Sequence, residues 1–458
     1  MMQEQLHLYF TSDLHSYFDN WPHVIAGIKH QQAIHQAKGD YTLLLDNGDH
    51  LDRVHPITEA TLGQANVDLL NKAGYDVVTL GNNEGITLPG DELYHLYDEA
   101  DFQITCANVA PIESPSPNWL KPYHILTTDY GTTIGVLGVT APFKKFYELL
   151  GWQVEDPKAI LDEYIPLLRE MCDIVIVLSH LGLYEDEQMA EQYPVDVIIG
   201  GHTHHLIEQG RIEHGSIINA VGKQGFHYGY IHIQYDHDKG EIESMAGNAI
   251  PVSDERDDKT YQALDEWKDT ADEHLNESVT YLNNAYPIEW FEETTLMREF
   301  VEELRQWTTA DVAALNSGLL LTGFEQGSVT KKQIHESCPH PMNPCKMTMT
   351  GRELIETVRL FESERFQYNE LKGLGFRGEI LGKMVYANLT LKYSHDHQVI
   401  ESVYIGDKLV DSDESYTLAT ADTFSFPWLI PSISHVEQKQ YFMPEFLRDV
   451  LTKCLSNT

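Results

Sequence analysis

The fold is best predicted from one segment, Val195-Asp196-Val197-Ile198-Ile199-Gly200-Gly201-His202-Thr203-His204-His205. A short run of apolar residues stops at two glycines and three histidines, which predicts a buried strand carrying imidazoles at its C-terminal end. Residues i and i+2 of an extended chain point the same way, so His202 and His204 can face one cavity. A pair of imidazoles there suits a metal ion better than a packed core. His205 points elsewhere and is left out of the predicted site.

Four more predicted strands end in polar side chains of the same kind. Each apolar run stops at a small residue and a carboxylate, imidazole or amide: residues 6–11 lead to Asp13 and His15, 41–45 to Asp49, 77–80 to Asn82 and Asn83, and 174–179 to His180. Taken alone, each is ordinary turn chemistry. Together and in this order they favour a metal site over a set of surface turns.

Helical spacing separates these strands, which predicts βαβ connections, parallel pairing and an α/β fold with its ligands at the carboxyl ends of strands. The predicted helices are 21–37, 58–72, 157–172 and 185–192. Predicted strands without site residues are 102–108, 133–139, 215–220 and 228–234.

Length and composition set the remaining limits. The chain has 458 residues, which favours two domains. With 31 Lys and Arg against 71 Asp and Glu, the net charge of -40 disfavours nucleic acids and anionic membranes as partners. Five dispersed cysteines and no recognisable signal peptide favour the cytoplasm.

The predicted domains are 1–253, a helical linker over 254–284, and a smaller α/β domain over 285–458. The second domain is predicted to contain helices over 295–307 and after Thr350, where Thr350 and Glu353 have capping-box spacing. Its predicted strands are 312–315, 385–391, 399–405 and 416–421.

The ordered motifs SDLH, GD, GNNE, SHLG and GGHTHH resemble the signature of the calcineurin-like metallophosphoesterases, and the acidic second half resembles the C-terminal domain of their 5′-nucleotidase branch. The resemblance implies an N-terminal β-sandwich flanked by helices. It also implies two divalent ions (Mn, Zn, Fe or Co) that activate a water for attack on phosphorus. One ion would be held by Asp13, His15, Asp49 and His204, and the other by Asp49, Asn82, His180 and His202.

One position departs from the family pattern. Family members read GNHE followed shortly by Asp, whereas this chain has Asn83 in place of the histidine and no such Asp. An amide can donate a hydrogen bond to phosphate but cannot protonate a leaving group. His50 and Arg53 are candidates for a replacement donor, although His50 is equally well explained as a structural residue. Alternatively, substrates with good leaving groups need no proton.

The C-terminal domain would recognise the nucleotide. The family's arginine-bearing loop here reads Asn316-Ser317-Gly318 without the arginine, which leaves Asn316 and Gly318 as pocket candidates. Phe376, Phe424 and Phe426 are candidates to stack on a base, with core packing as an even alternative. Arg377 could meet a phosphate or ribose.

We therefore expect a metal-dependent phosphohydrolase that cleaves ester or anhydride bonds of nucleotides or related small molecules. The alternatives are a catalytically weakened, metal-holding nucleotide sensor and a 2′,3′-cyclic nucleotide phosphodiesterase.

Overall fold

The computed structural model describes residues 3–394, 399–426 and 429–457, and divides the chain into two compact units, Met1–Ala271 and Asp272–Thr458. The boundary lies inside the helix Asp258–Leu275, within the segment predicted as a linker. Each unit has its own sheets and hydrophobic core.

The first unit is built on two mixed sheets. Its strands are β1 Gln3–Thr11, β2 Tyr41–Asp46, β3 Val77–Thr79, β4 Gln103–Thr105, β5 Val109–Pro111, β6 Leu120–Lys121, β7 Tyr123–Thr127, β8 Thr133–Thr140, β9 Trp152–Val154, β10 Ile174–His180, β11 Val197–Gly200, β12 Arg211–Glu213, β13 Ser216–Ala220, β14 His227–Asp236 and β15 Glu241–Pro251. One sheet has the order β15-β14-β1-β2-β3-β4-β6 and the other β12-β13-β11-β10-β8-β7. As predicted, β1, β2 and β3 pair in parallel, and so do β10 and β11.

The helices of this part of the chain are α1 Trp21–Gln36, α2 Pro56–Thr61, α3 Gln64–Ala73, α4 Asn82–Thr87, α5 Gly90–His95, α6 Lys144–Leu149, α7 Pro157–Met171, α8 Leu183–Gln192 and α9 Asp258–Leu275, the last of which contains the boundary between the units. Helices α7 and α8 pack on the outer face of the second sheet.

Strand β10 shows why the site strands are apolar throughout. Ile174, Ile176 and Leu178 pack into the core between the two sheets, while Val175 and Val177 pack under α7 and α8. A strand buried on both faces has no polar face, so its sequence is a continuous apolar run. The predicted helix-flanked β-sandwich is confirmed.

The second unit has a central sheet in the order β20-β17-β24-β19-β25. Its strands are β16 Ser278–Leu282, β17 Val312–Asn316, β18 Gly327–Thr330, β19 Pro344–Thr350, β20 Met384–Ala387, β21 Leu389–Tyr393, β22 Ile400–Ile405, β23 Lys408–Leu409, β24 Ser415–Ala421 and β25 Lys439–Tyr441. Its helices are α10 Thr295–Thr308, α11 Lys331–Ser337, α12 Gly351–Phe361, α13 Glu364–Gln367, α14 Pro431–Ser434 and α15 Leu447–Ser456. Two single 3₁₀ turns cover Ser317–Leu319 and Asp422–Ser425.

Two predicted elements are each broken by left-handed residues. The helix predicted over 58–72 is two helices, α2 and α3, because Leu62 and Gly63 have φ of 48° and 87°. The strand predicted over 385–391 is two strands in different sheets, β20 and β21, with Asn388 at φ 58° between them. A left-handed residue cannot continue a helix or a strand.

Candidate metal centre

The metal-ligand candidates lie where five parallel strands end. Asp13 and His15 follow β1, Asp49 follows β2, Asn82 begins α4 just after β3, His180 closes β10, and His202 and His204 follow β11. The first two loops are hydrogen-bonded together: the Asp13 N–H donates to the Gly48 carbonyl at 3.0 Å, and the His15 N–H to the Asp49 carbonyl at 2.8 Å. The fold therefore brings together side chains that are up to 191 positions apart in the chain, from Asp13 to His204.

Five of the predicted ligands have left-handed backbone. The φ angles are 53° at Asp13, 50° at His15, 51° at Asp49, 66° at His202 and 56° at His204. A non-glycine residue in this region costs on the order of 1–3 kcal/mol and persists where surrounding contacts hold it, typically at functional sites. The backbone strain of the unit is thus concentrated at the strand ends that carry imidazoles and carboxylates.

Two groups of potential ligand atoms are formed. Asp13, His15 and His204 make one, and Asp13, Asp49 and His180 make the other. His15 Nε2 lies 3.0 Å from His204 Nε2 and 3.7 Å from Asp49 Oδ2. The same Asp49 oxygen lies 3.4 Å from His180 Nε2. Asp13 and Asp49 therefore both lie between the ligands assigned to the two ions.

Asn82 and His202 form a third edge of the centre. His202 Nδ1 lies 2.7 Å from Asn82 Oδ1, and the His202 backbone N–H donates to Asp13 Oδ1 at 3.1 Å. The ring of His202 is also 5.8 Å from the ring of Phe143, edge to face. All seven predicted ligands therefore belong to one connected cluster.

The charges at the centre favour a bound cation. Asp13 and Asp49 are buried, and within the described residues their cationic partners are imidazoles, without Lys or Arg. Burial opposes a charge on His180, but Asp49 and Asp13 outweigh it and raise the pKa of its imidazole to about 10. Burial and the neighbouring His180 lower the pKa of His202 to about 4. The two carboxylates thus favour positive charge at the middle of the cluster.

His180 supplies the test of whether a metal fits. Its Nδ1 lies 2.7 Å from the Asn47 carbonyl, to which it donates, so Nε2 is the nitrogen that would offer a lone pair to a metal ion. That Nε2 is fully buried and has no hydrogen-bond partner among the described residues. A buried nitrogen lone pair aimed at two carboxylates is the arrangement of a metal ligand, and this mix of nitrogen and oxygen donors fits first-row divalent ions.

Glu84, for which no role was predicted, holds the Asp49 loop. Its carboxylate accepts from the backbone N–H groups of Asp49 at 2.9 Å, Gly81 at 2.8 Å and Leu51 at 3.1 Å. Its place as the last residue of the GNNE motif was the available signal. Asp52 was also missed: its Oδ2 lies 3.4 Å from His15 Nδ1.

Asn83 lies at the centre, and both its side-chain amide and its backbone N–H contact neighbouring groups. Its Nδ2 donates to the Leu51 carbonyl at 3.2 Å and lies 2.9 Å from His15 Nδ1. Its backbone N–H donates to Asp49 Oδ1 at 2.7 Å. In this arrangement Asn83 contacts two metal-ligand candidates, His15 and Asp49, and helps to hold them in place.

His50 and Arg53 are turned to structural contacts. The His50 side chain is buried, lies with Nδ1 3.1 Å from Asn66 Nδ2 and packs edge to face on Trp21, and burial lowers its pKa to about 3. The Arg53 guanidinium makes two bonds to Glu59, at 2.8 and 3.1 Å, and one to the Thr87 carbonyl at 2.9 Å. The surroundings of His50 therefore support a structural role for this residue.

The candidates for nucleotide recognition lie in the second unit, and four of them are buried. Asn316 is fully buried and donates to the Leu381 carbonyl, and a Cβ at Gly318 would lie 1.9 Å from the Ile380 carbonyl oxygen. Phe376 is stacked on His340 with centroids 5.1 Å apart. Phe424 is fully buried between Phe361 and Phe366.

The burial of Phe376 and Phe424 supports the core-packing alternative for these two rings, because a buried ring has no exposed face on which a base could stack. Arg377 and Phe426 are half-buried and keep part of their surface.

Comparison with known proteins agrees with this fold. Residues 6–206 match the calcineurin-like phosphoesterase family and residues 274–427 the 5′-nucleotidase C-terminal domain. The chain is 39% identical to the uncharacterized metallophosphoesterase YunD of Bacillus subtilis, over 98% of this chain and 99% of YunD. It is 24% identical to the 5′-nucleotidase of Vibrio cholerae, over 71% and 68% of the two chains. The structure of Haemophilus influenzae NAD nucleotidase superposes with a TM-score of 0.70 at 16% identity, covering 100% of this chain and 97% of that chain.

A helix-flanked α/β sandwich with histidines and aspartates at its strand ends defines a metallophosphoesterase. The chain belongs to the calcineurin-like phosphoesterases that carry a 5′-nucleotidase C-terminal domain, as the sequence motifs predicted, and it is a hydrolase of phosphate esters. Among the described residues, no helix is long and apolar enough to span a bilayer.

Proposed function

We propose that this protein hydrolyses nucleotides or closely related small phosphate compounds with two divalent metal ions. The observation that carries the proposal is the position of Asp49, whose Oδ2 lies 3.7 Å from His15 Nε2 and 3.4 Å from His180 Nε2. One carboxylate oxygen between imidazoles assigned to different ions suits a bridging ligand. The 5′-nucleotidase C-terminal domain and the nucleotidases among the relatives support a nucleotide substrate.

Each ion has a proposed set of ligands. Asp13, His15, Asp49 and His204 would hold the first, and Asp49, Asn82, His180 and His202 the second. When bound, such ions neutralise phosphate charge and lower the pKa of a water toward neutrality, which supplies the nucleophile. The chain's own contribution is to hold the ligands: the Asn47 carbonyl fixes His180, Asn82 fixes His202, and Glu84 fixes the loop of Asp49.

The preferred substrate class depends on whether the centre can supply a proton to the leaving group. The side-chain amide of Asn83 donates to the Leu51 carbonyl and cannot release a proton, the His50 ring is buried with its Nδ1 accepting from Asn66, and Arg53 is paired with Glu59. An alkoxide leaving group needs a proton, and losing the general acid costs about 10²–10⁴ in rate. A phosphate leaving group needs none. We therefore propose nucleoside diphosphates, triphosphates or sugar nucleotides as preferred substrates over mononucleotides.

The test is kcat/KM for ADP, UDP-glucose and AMP with Mn²⁺-loaded protein. We expect ADP or UDP-glucose to exceed AMP by at least about tenfold, and Asn83→His to narrow the gap by raising the AMP value. Asn83→Gln is the matched control, since it changes the side chain without adding a proton donor. A wild type that strongly prefers AMP refutes the leaving-group argument.

A second candidate is a metal-holding nucleotide sensor, which is favoured because the Asn83 amide cannot protonate a leaving group. A sensor would bind nucleotides without releasing phosphate. Phosphate release from a panel of mono-, di- and cyclic nucleotides, measured beside their binding by calorimetry, separates the candidates. Tight binding without turnover of any compound supports the sensor.

We also propose a cytoplasmic location. The five cysteines all lie in the described ranges and form no disulfide, which suits a reducing compartment. Cell fractionation tests this, and recovery of the protein outside the cytoplasm contradicts it.

A further inference from the structure

The two ring nitrogens of His15 face different surroundings. Nε2 faces the cluster, 3.0 Å from His204 Nε2 and 3.7 Å from Asp49 Oδ2. Nδ1 faces away from it, toward Asp52 Oδ2 at 3.4 Å and Asn83 Nδ2 at 2.9 Å. A histidine that binds a metal through Nε2 must carry its proton on Nδ1, and that proton needs an acceptor.

Asn83 cannot be that acceptor in the observed orientation. Its Nδ2 also donates to the Leu51 carbonyl, which can only accept, so the amide is fixed with its nitrogen toward His15. An amide N–H beside Nδ1 favours the opposite tautomer, with the proton on Nε2, where it would block a metal. Asp52 is the group beside Nδ1 that selects the tautomer a metal requires.

Asp52 is built into the loop so that its carboxylate stays in place. The side chain is 2% exposed. Its Oδ1 accepts from the Val54 N–H at 3.0 Å, and its own N–H donates to Ser16 Oγ at 2.8 Å. Ser16 Oγ is held in turn by Asn66 Nδ2 at 3.1 Å. One carboxylate oxygen is thus anchored in the turn while the other is aimed at His15.

We propose that Asp52 is a positioning residue that holds His15 as a metal ligand, its carboxylate accepting the Nδ1 proton so that the Nε2 lone pair faces the cation. The inference rests on the proposed metal-dependent function. Asp52 binds neither metal nor substrate in this assignment and acts only through His15.

The experiment is calorimetric titration of Mn²⁺ into metal-free, full-length wild type, Asp52→Asn and Asp236→Asn. Asn at 52 keeps an oxygen for the Val54 N–H but lacks the charge that stabilises the Nδ1 proton. Outer-shell carboxylates of metal-binding histidines typically contribute 10–100-fold in affinity. We expect Asp52→Asn to lower the Mn²⁺ affinity of one of the two sites by about that factor and to leave the affinity of the other site within about threefold of the wild type.

Asp236 is the matched control. It is also a buried carboxylate that accepts from the N–H two residues on, that of Asp238, at 3.0 Å. It pairs with Gln3 at the start of β1, the opposite end of that strand from Asp13. Asp236→Asn removes the same charge and keeps the same turn bond, so both Mn²⁺ affinities should stay within about twofold of the wild type.

A His15→Ala background separates positioning from a general structural effect. There Asp52→Asn should change the affinity of the remaining ion by less than about twofold, because its effect passes through His15. Equal weakening in both backgrounds, or wild-type affinity in Asp52→Asn, overturns the inference. A wild type that binds no Mn²⁺ overturns the proposed function itself, and the inference with it.

Discussion

At the scale of single residues, the function of a polar side chain depends on which of its hydrogen-bonding atoms are already used. Asn83, His50 and Arg53 are all close in sequence to metal-ligand candidates, and each could in principle touch phosphate. In the structure the Asn83 amide donates to the Leu51 carbonyl, the buried His50 ring accepts from Asn66, and the Arg53 guanidinium is paired with Glu59. Their place in a motif therefore does not make them donors to a substrate.

His202 and His205 test the assignment within one loop. His202 Nδ1 lies 2.7 Å from Asn82 Oδ1 inside the cluster, whereas His205 is exposed and contacts Thr203 Oγ1 at 2.8 Å. We expect His202→Ala to lower kcat with subsaturating Mn²⁺ by at least about 10²-fold, because losing even an outer-shell partner costs 10–100-fold in metal affinity or activity. Steady-state phosphate release measures the effect.

His205→Ala is the control for that measurement. This variant removes an exposed imidazole of the same loop that contacts Thr203 Oγ1 rather than the cluster, so the activity should stay within about twofold of the wild type. Equal losses in the two variants would contradict the assignment of His202 as a ligand.

At the scale of elements, the predicted metal ligands lie at the ends of strands, and residues that hold them lie in the neighbouring loops. The capping box predicted at Thr350 and Glu353 does begin α12. The breaks at Leu62-Gly63 and at Asn388 were not predicted, because their neighbours keep an unbroken apolar pattern. Hydrophobic spacing reports which face of a segment is buried and is insensitive to one residue with a left-handed backbone.

His340 joins three loops of the second unit and predicts a pH dependence of stability. Its Nε2 donates to the Leu319 carbonyl at 2.8 Å, its Nδ1 accepts from the Arg377 N–H at 2.9 Å, and its ring stacks on Phe376. Burial lowers its pKa to about 4. A folded-state pKa below the unfolded value of about 6.5 means that the unfolded chain binds the proton first.

The stabilisation from neutral His340 is therefore complete above about pH 6.5 and lost as the pH falls toward 4. We expect the free energy of unfolding of the metal-free, full-length protein to fall over that range by up to about 3 kcal/mol more than in His340→Gln. Calorimetric unfolding across the range measures it. His435→Gln, which removes an exposed histidine of the same unit, should follow the wild type. Parallel curves for wild type and His340→Gln would contradict the prediction.

At the scale of the whole molecule, a net charge of -40 opposes the approach of an anionic nucleotide. Raising ionic strength from about 10 to 150 mM shortens the screening length from about 30 to 8 Å. With Mn²⁺ saturating, we expect kcat/KM for an anionic substrate to rise roughly two- to fivefold over this range. Stopped-flow or initial-rate measurements test it, and a falling kcat/KM would show instead that a local positive field dominates.

The family, the sandwich and the cluster of ligand candidates could be predicted from the sequence, because apolar runs end in the ordered motifs of the family and parallel strands bring their carboxyl ends to one edge of a sheet. Asp13 and Asp49 follow neighbouring parallel strands and could be placed together on that ground, whereas His180 ends a strand of the other sheet and was placed beside them by the resemblance to the family. The tertiary structure decided the partners of the side chains around them. Loop packing determines that Asp52 faces His15, that Arg53 is held by Glu59 and that Phe376 lies on His340. Contacts between loops leave no periodic signal in the sequence.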